Sequence, residues 1–180
     1  MIDGLYDPAG TEFQAVPEPV KARLLAGETC ALVTDAGTPA ISDPGEDLVR
    51  RCGENNIAVE AIPGCCAAIC ALAVSGLPTG RFTFEGFLAM NKKNRRAHLE
   101  SLRGEERTMI FYEAPHKLVA TLRDLADTFG REREISLCRE LTKLHEEIRR
   151  TTLGEAADWY GEETPRGETV SYTHLRAHET

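Results

Sequence analysis

Along the chain, short apolar runs alternate with amphipathic stretches. Thr29–Thr34 (TCALVT) and Ile57–Ile62 (IAVEAI) are brief, β-branched and bounded by turn residues, which predicts buried strands. Phe82–Phe87, Thr108–Tyr112 and Glu134–Arg139 read the same way, and His145–Thr151 reads as a strand paired to the last of them. Helical patterning covers Pro17–Ala26, Lys92–Leu102 and Pro115–Phe129, with a short helix near Glu155–Tyr160. Asp43-Pro44-Gly45-Glu46 places a capping Asp, a first-turn Pro and a Glu three residues after the cap, predicting a helix to about Arg51 or Cys52. Cys65–Ser75 is a run of small apolar residues that predicts a buried helix ending at Gly76.

Strand, helix, strand, helix from Thr29 to Ser75 imply crossover connections and a parallel sheet, hence an α/β fold. Gly76-Leu77-Pro78-Thr79-Gly80 is the strongest linker signal, so a boundary is expected near Gly80. That divides the chain into an N-terminal domain over 1–80, with an irregular lead-in over 1–17, and a C-terminal α/β domain over 81–170. The last ten residues, SYTHLRAHET, carry no period and are expected to be a non-native or disordered tail.

Composition narrows the function. Apolar residues make up 42% of the chain, an ordinary globular mix. A net charge of −8 argues against binding nucleic acid by bulk charge, leaving only a local basic patch for that purpose. Lys92, Lys93, Arg95 and Arg96 form such a patch, although a solvated helix face has the same composition. No apolar run approaches the roughly 18 residues of a membrane span, and no signal peptide is visible. The six cysteines form no C-x-x-C pair and have no His at zinc spacing, so a reducing, cytoplasmic compartment without a metal site is expected.

Candidate chemistry sits where strands end, because open α/β sheets bind ligands beyond the carboxyl ends of their strands. The turn Asp35-Ala36-Gly37-Thr38-Pro39 offers a carboxylate and a glycine that lets backbone approach a ligand. Pro63-Gly64-Cys65-Cys66 leads into a helix whose first N–H groups are unblocked by bulky side chains. Phe111-Tyr112-Glu113-Ala114-Pro115-His116 and Arg139-Glu140-Leu141-Thr142-Lys143 each follow a strand. Spacing alone does not separate these from plain turns, and neither glycine turn is a dinucleotide or P-loop fingerprint.

Taken in order, these segments together with Ser75-Gly76-Leu77-Pro78-Thr79, Glu85-Gly86-Phe87-Leu88 and Gly167-Glu168-Thr169-Val170 resemble the tetrapyrrole-methylase superfamily. Within it they resemble the branch that methylates small-subunit ribosomal RNA, rather than the tetrapyrrole methylases themselves. The resemblance implies a two-domain fold with an incomplete N-terminal domain containing a parallel sheet and a C-terminal mixed-sheet domain. It also implies S-adenosylmethionine as cofactor, lying in the cleft between the domains. Asp35, Ala36, Gly37, Thr38, Pro39, Pro63, Gly64, Cys65 and Cys66 would contact it from one side. Phe111, Tyr112, Glu113, Ala114, Arg139, Glu140, Leu141 and Thr142 would do so from the other. The implied reaction is methyl transfer to the ribose 2′-hydroxyl of a cytidine in 16S ribosomal RNA, with Glu113, His116 and Glu140 as candidates for the base or for positioning. Lys92, Lys93, Arg95 and Arg96 would meet RNA phosphates, and the partners implied are the small ribosomal subunit and a second copy in a homodimer. The family's earlier strand and glycine loop have no counterpart before Asp35, so an incomplete gene product, a fragment that folds or self-associates without turnover, is the alternative expectation.

Overall fold

The computed structural model describes residues 18–35, 37–162 and 169–173, and the lead-in over 1–17 lies outside them. The chain divides into two compact units between Cys66 and Ala67.

In the first unit, α1 spans Glu18–Leu25 and α2 spans Glu46–Glu54. The latter begins later than its sequence signature suggests. Gly45, at φ 133°, stands at the N-cap, and no side-chain cap hydrogen bond forms at that end. The α2 helix is held instead by Asp47, which accepts from Arg51 at 2.6 Å and also pairs with Arg50. The two strands expected at Thr29–Thr34 and Ile57–Ile62 do not form. Both segments carry no ladder, and Val33, Val59 and Ile62 are exposed. Strand-like composition is a preference for a pleated, half-buried surface, and among the described residues no neighbouring strand supplies one.

The second unit opens with α3 (Ala67–Val74), followed by β1 (Phe82–Phe87), α4 (Lys92–Ser101) and β2 (Thr108–Glu113). After a 3₁₀ turn at Pro115–Lys117 come α5 (Leu118–Phe129), β3 (Glu134–Arg139), β4 (Glu147–Thr152), α6 (Leu153–Glu162) and β5 (Thr169–Thr173). The strands form one mixed sheet in the order β1-β2-β5-β3-β4. The β1–β2 pair is parallel; β5 runs antiparallel to both β2 and β3, and β4 antiparallel to β3. It follows that β1, β2 and β3 all point the same way. The β5 strand continues through Ser171, Tyr172 and Thr173, three residues into the segment expected to be a tail, because each pairs with β2 or β3 on either side.

One face of this sheet packs on α4, α5 and α6 through Met109, Phe111, Leu122, Leu125, Leu137 and Tyr160. Helix α5 buries Leu118, Thr121, Leu122, Leu125 and Ala126, the i, i+3, i+4, i+7, i+8 stripe of a helix laid on a sheet. The α3 helix is attached by polar contacts as well as by a small buried apolar face. Tyr112 Oη accepts from Ala68 N at 3.0 Å at its start, and Arg150 Nε donates to Ser75 O at 2.9 Å at its end. Gly76, at φ 77°, has backbone that favours glycine, and an added Cβ would stand 2.9 Å from Arg150 Nε and push that side chain off Ser75 O. These contacts tie α3 and the linker after it to the second unit, whereas turn composition places a boundary near Gly80. Contrary to the expectation of a buried helix, α3 buries only the Ala68, Ala71, Leu72 face, with Ile69 and Cys70 exposed.

Candidate functional site

Because β1, β2 and β3 are parallel to one another, the segments that follow them leave the sheet from one edge. Register places two of the candidate motifs there with some precision. Thr169 of β5 pairs with Glu113 on one side and with Arg139 on the other. The two motifs are therefore two strand spacings apart, roughly 10 Å. Thr169 belongs to the Gly167-Glu168-Thr169-Val170 segment, whose first two residues lie outside the described residues.

Glu113 is 5% exposed and heavily engaged. Its Oε1 accepts from the Ala114 backbone N–H at 2.8 Å, and its Oε2 accepts from the Thr121 hydroxyl. The same hydroxyl accepts from Arg95 Nη2 at 2.7 Å, while Arg95 Nε donates to Asp124 at 2.6 Å. Arg95 Nη1 also lies 3.9 Å from Glu113 Oε2. The result is a network joining the end of β2 to α4 and α5. It corrects one expectation: Arg95 does not stand with its basic neighbours on the exposed face, because Glu113, Thr121 and Asp124 draw its guanidinium inward.

His116 stands exposed on the turn after Glu113. Phe111 is fully buried in the core, and its backbone lies between Gly86 of β1 and Ser171 of β5. Tyr112 is half-buried, with its hydroxyl on α3. After β3, Arg139 turns toward β4, donating to Glu147 at 2.8 Å. Glu140 accepts from Lys143 Nζ at 3.1 Å, and the Thr142 N–H donates to Glu146 at 2.6 Å. Glu140 and Thr142 have φ of 48° and 65°. Left-handed backbone is costly for a β-branched residue such as Thr142, and strain of this kind, of order 1–3 kcal/mol, concentrates at ligand-binding loops.

In the first unit the two glycine turns come together. Thr38 Oγ1 donates to the Cys65 carbonyl at 3.1 Å, and Gly37, at φ 80°, supplies the left-handed residue next to it. Asp35 and Cys65 are exposed. Ala36 lies outside the described residues. Nearby Ala40 and Ser42 are also left-handed, at 65° and 57°.

On α4 the N-cap is Asn91, whose Oδ1 accepts from Lys93 N at 2.9 Å and Asn94 N at 3.3 Å. No acidic residue occupies the first turn, and Lys92 and Lys93 are there instead. Cations at a helix N-terminus oppose the macrodipole, at about 0.3–1 kcal/mol each. Lys92, Lys93 and Arg96 are exposed and make no ion pair with a described residue. Many other arginines are paired: Arg23, Arg50, Arg51, Arg103, Arg107, Arg131 and Arg149 each contact a carboxylate, whereas Arg150 is held by the Val74 and Ser75 carbonyls. Periodicity carries no signal for Thr121, Asp124 or Arg150, which acquire their roles only when α5 and β4 are placed against neighbouring elements.

The family described as tetrapyrrole (corrin/porphyrin) methylases matches residues 4–157. Ribosomal RNA small subunit methyltransferase I of Synechocystis sp. is 56% identical over 147 residues, which is 82% of this chain and 53% of the relative. The chain spans about half the length of the curated relatives it matches. Among solved structures, the methyltransferase CobJ superposes with a TM-score of 0.64 at 20% identity, covering 89% of this chain and 70% of its own. Uroporphyrin-III C-methyl transferase from Thermus thermophilus, complexed with S-adenyl homocysteine, gives 0.56 at 17% identity, covering 87% and 70%. At such identities the two structures establish the fold alone.

Proposed function

Since the chain belongs to the tetrapyrrole (corrin/porphyrin) methylase family, we propose that it is the portion of an S-adenosylmethionine-dependent methyltransferase that acts on the ribose 2′-hydroxyl of a cytidine in 16S ribosomal RNA. The observation that carries this reading is the gathering of the Glu113–His116 segment, the Arg139–Thr142 segment and the unpaired cations of α4 at one edge of the sheet. The family resemblance to enzymes on small-subunit ribosomal RNA supports the choice of substrate.

The residues present fit such a cofactor. Asp35 is an exposed carboxylate able to accept from ribose hydroxyls or an ammonium group, and Gly37 leaves backbone uncovered beside it. Glu140 and Thr142 hold strained backbone at the other predicted contact. When bound, the cofactor supplies a methyl group on a sulfonium, so this chain's work is alignment and proton removal. A ribose hydroxyl is a weak nucleophile and gains from a base within hydrogen-bond reach. Glu113 has both oxygens engaged in fixing α4 and α5, and Glu140 faces Lys143. That leaves the exposed His116 imidazole as the base we assign, with Glu113 as the group that fixes the turn bearing it. Lys92, Lys93 and Arg96 would hold RNA phosphates.

A second reading, a folded fragment without turnover, draws support from the unpaired segments Thr29–Thr34 and Ile57–Ile62. Calorimetric titration with S-adenosylmethionine, followed by methyl transfer to small ribosomal subunits, separates the two. Micromolar binding with transfer that falls at least a hundredfold in His116→Ala is expected for the first reading. Binding without transfer supports the second, and no binding by the folded chain removes the cofactor assignment from it.

A further inference from the structure

The β1 strand ends in an irregularity that alters what its last residue presents. Phe84 pairs with Ile110 and Gly86 with Phe111, so Glu85 is an extra residue in β1. The insertion is anchored on both sides: Glu85 Oε2 lies 2.9 Å from His98 Nε2 on α4, and Gly86 is buried at φ 60°. Simple alternation would send Phe87 to the core face opposite Phe84. With the bulge, Phe87 pairs with Tyr112 and shares the outer face with Phe84, a use of bulges that re-aims a side chain. Tyr112 meets both rings edge-on, at centroid distances of 5.1 Å from Phe84 and 5.5 Å from Phe87. Phe87 nevertheless remains 57% exposed, and Met90, three residues on, is 80% exposed. Lys117, from the turn after β2, places its Nζ 2.7 Å from Met90 Sδ, beside the loop that leads into Lys92 and Lys93.

We propose that Phe87 and Met90, with Lys117 against Met90, form a base-stacking surface at the carboxyl end of β1, next to the loop that leads into Lys92 and Lys93, so that this end of the sheet takes single-stranded RNA. The inference rests on the reading that α4 meets RNA and specifies the form of RNA it meets. Cations alone bind a duplex and a single strand alike through phosphates. An exposed aromatic ring adds affinity only where a base face is uncovered, as in loops and unpaired strands. Lys117 brings a cation from a second element to the same loop, which widens the phosphate contact beyond α4. Charge decides the occupant, since exposed apolar side chains bordered by unpaired cations suit a polyanion with apolar faces better than a second copy of a chain at −8.

The test compares the full chain with Phe87→Leu and Lys117→Gln, using a fluorescent single-stranded oligoribonucleotide and a hairpin duplex of matched length across a salt series. Phe87→Leu is expected to weaken single-strand binding about tenfold or more and leave duplex binding unchanged. Lys117→Gln should reduce the salt slope for the single strand by about 0.7. Unchanged single-strand affinity in Phe87→Leu, or an equal loss on the duplex, would overturn the proposal. So would loss of self-association in Phe87→Leu with intact RNA binding, which would make the face a protein contact. A wild-type chain that binds neither RNA form sinks both the inference and the RNA reading of α4, while S-adenosylmethionine titration tests the methylase reading separately. Should Phe87→Leu fail to fold, Met90→Ser with Lys117→Gln carries the same comparison from an exposed and a half-buried position.

Discussion

Thr121 is the hinge of the Glu113 network, and replacing it with valine tests whether that network is structural. Valine keeps the shape and removes the hydroxyl. Glu113 Oε2 then loses a donor and Arg95 Nη2 an acceptor, at a site where Thr121 is 1% exposed. A hydrogen bond to a charged group contributes about 1.5–3 kcal/mol, and an orphaned buried partner costs the most. Two such bonds go, but Glu113 keeps the Ala114 N–H, Arg95 keeps Asp124, and a guanidinium 3.9 Å from Glu113 can close in. The expected net loss is about 2–4 kcal/mol. At a urea m-value of roughly 2 kcal/mol/M, the midpoint falls by about 1–2 M. Trp159, the sole tryptophan, lies in α6, so its fluorescence follows the second unit directly. Thr121→Ser is the control, since it retains the hydroxyl and loses one methyl group, about 1 kcal/mol. A Thr121→Val midpoint no lower than that of Thr121→Ser would refute the reasoning and return Glu113 to the pool of free catalytic carboxylates.

Two further outcomes concern titration and reactivity. Side-chain hydrogen bonds from Arg107, with its backbone N–H in support, hold the Glu105 carboxyl down at about 2. A depressed carboxyl contributes stability that is fully present above its unfolded value near 4.3 and is lost as pH falls through about 2. Glu105→Gln should therefore lower the urea midpoint at pH 7, with the gap to the parent closing between about pH 5 and pH 2; a gap that stays constant over that range would contradict the pairing. Burial pushes the Cys138 thiol up, and Cys52 is buried as well, whereas Cys30, Cys65 and Cys70 are exposed. Iodoacetamide at pH 8, read by mass spectrometry, should label the three exposed thiols first and reach Cys138 only on unfolding. Labelling of Cys138 as fast as Cys70 would show that the contact of β3 with α3, where Cys138 Sγ lies 3.9 Å from the Ala71 carbonyl, opens readily.

Legibility followed how local each cause was. Phe82–Phe87 and Glu134–Arg139 are strands at the expected bounds because Phe82, Phe84 and Phe87 in one and Ile135, Leu137 and Cys138 in the other give each run strand-favouring apolar positions. The α5 helix was equally readable, since its apolar stripe and Gly130 stop lie within one short segment. Thr29–Thr34 and Ile57–Ile62 have the same composition and form no strand, because a ladder needs a partner that a run of residues cannot specify for itself. The motifs at Glu113 and Arg139 could be read as strand ends, but their spacing across Thr169 depends on β5 entering antiparallel between β2 and β3. A chain of like charges from Lys92 to Arg96 looks uniform on paper. The tertiary structure divides it, turning Arg95 toward Thr121 and Asp124 and leaving Lys92, Lys93 and Arg96 in solvent, because only packing of α4 against α5 determines which carboxylates each cation can reach.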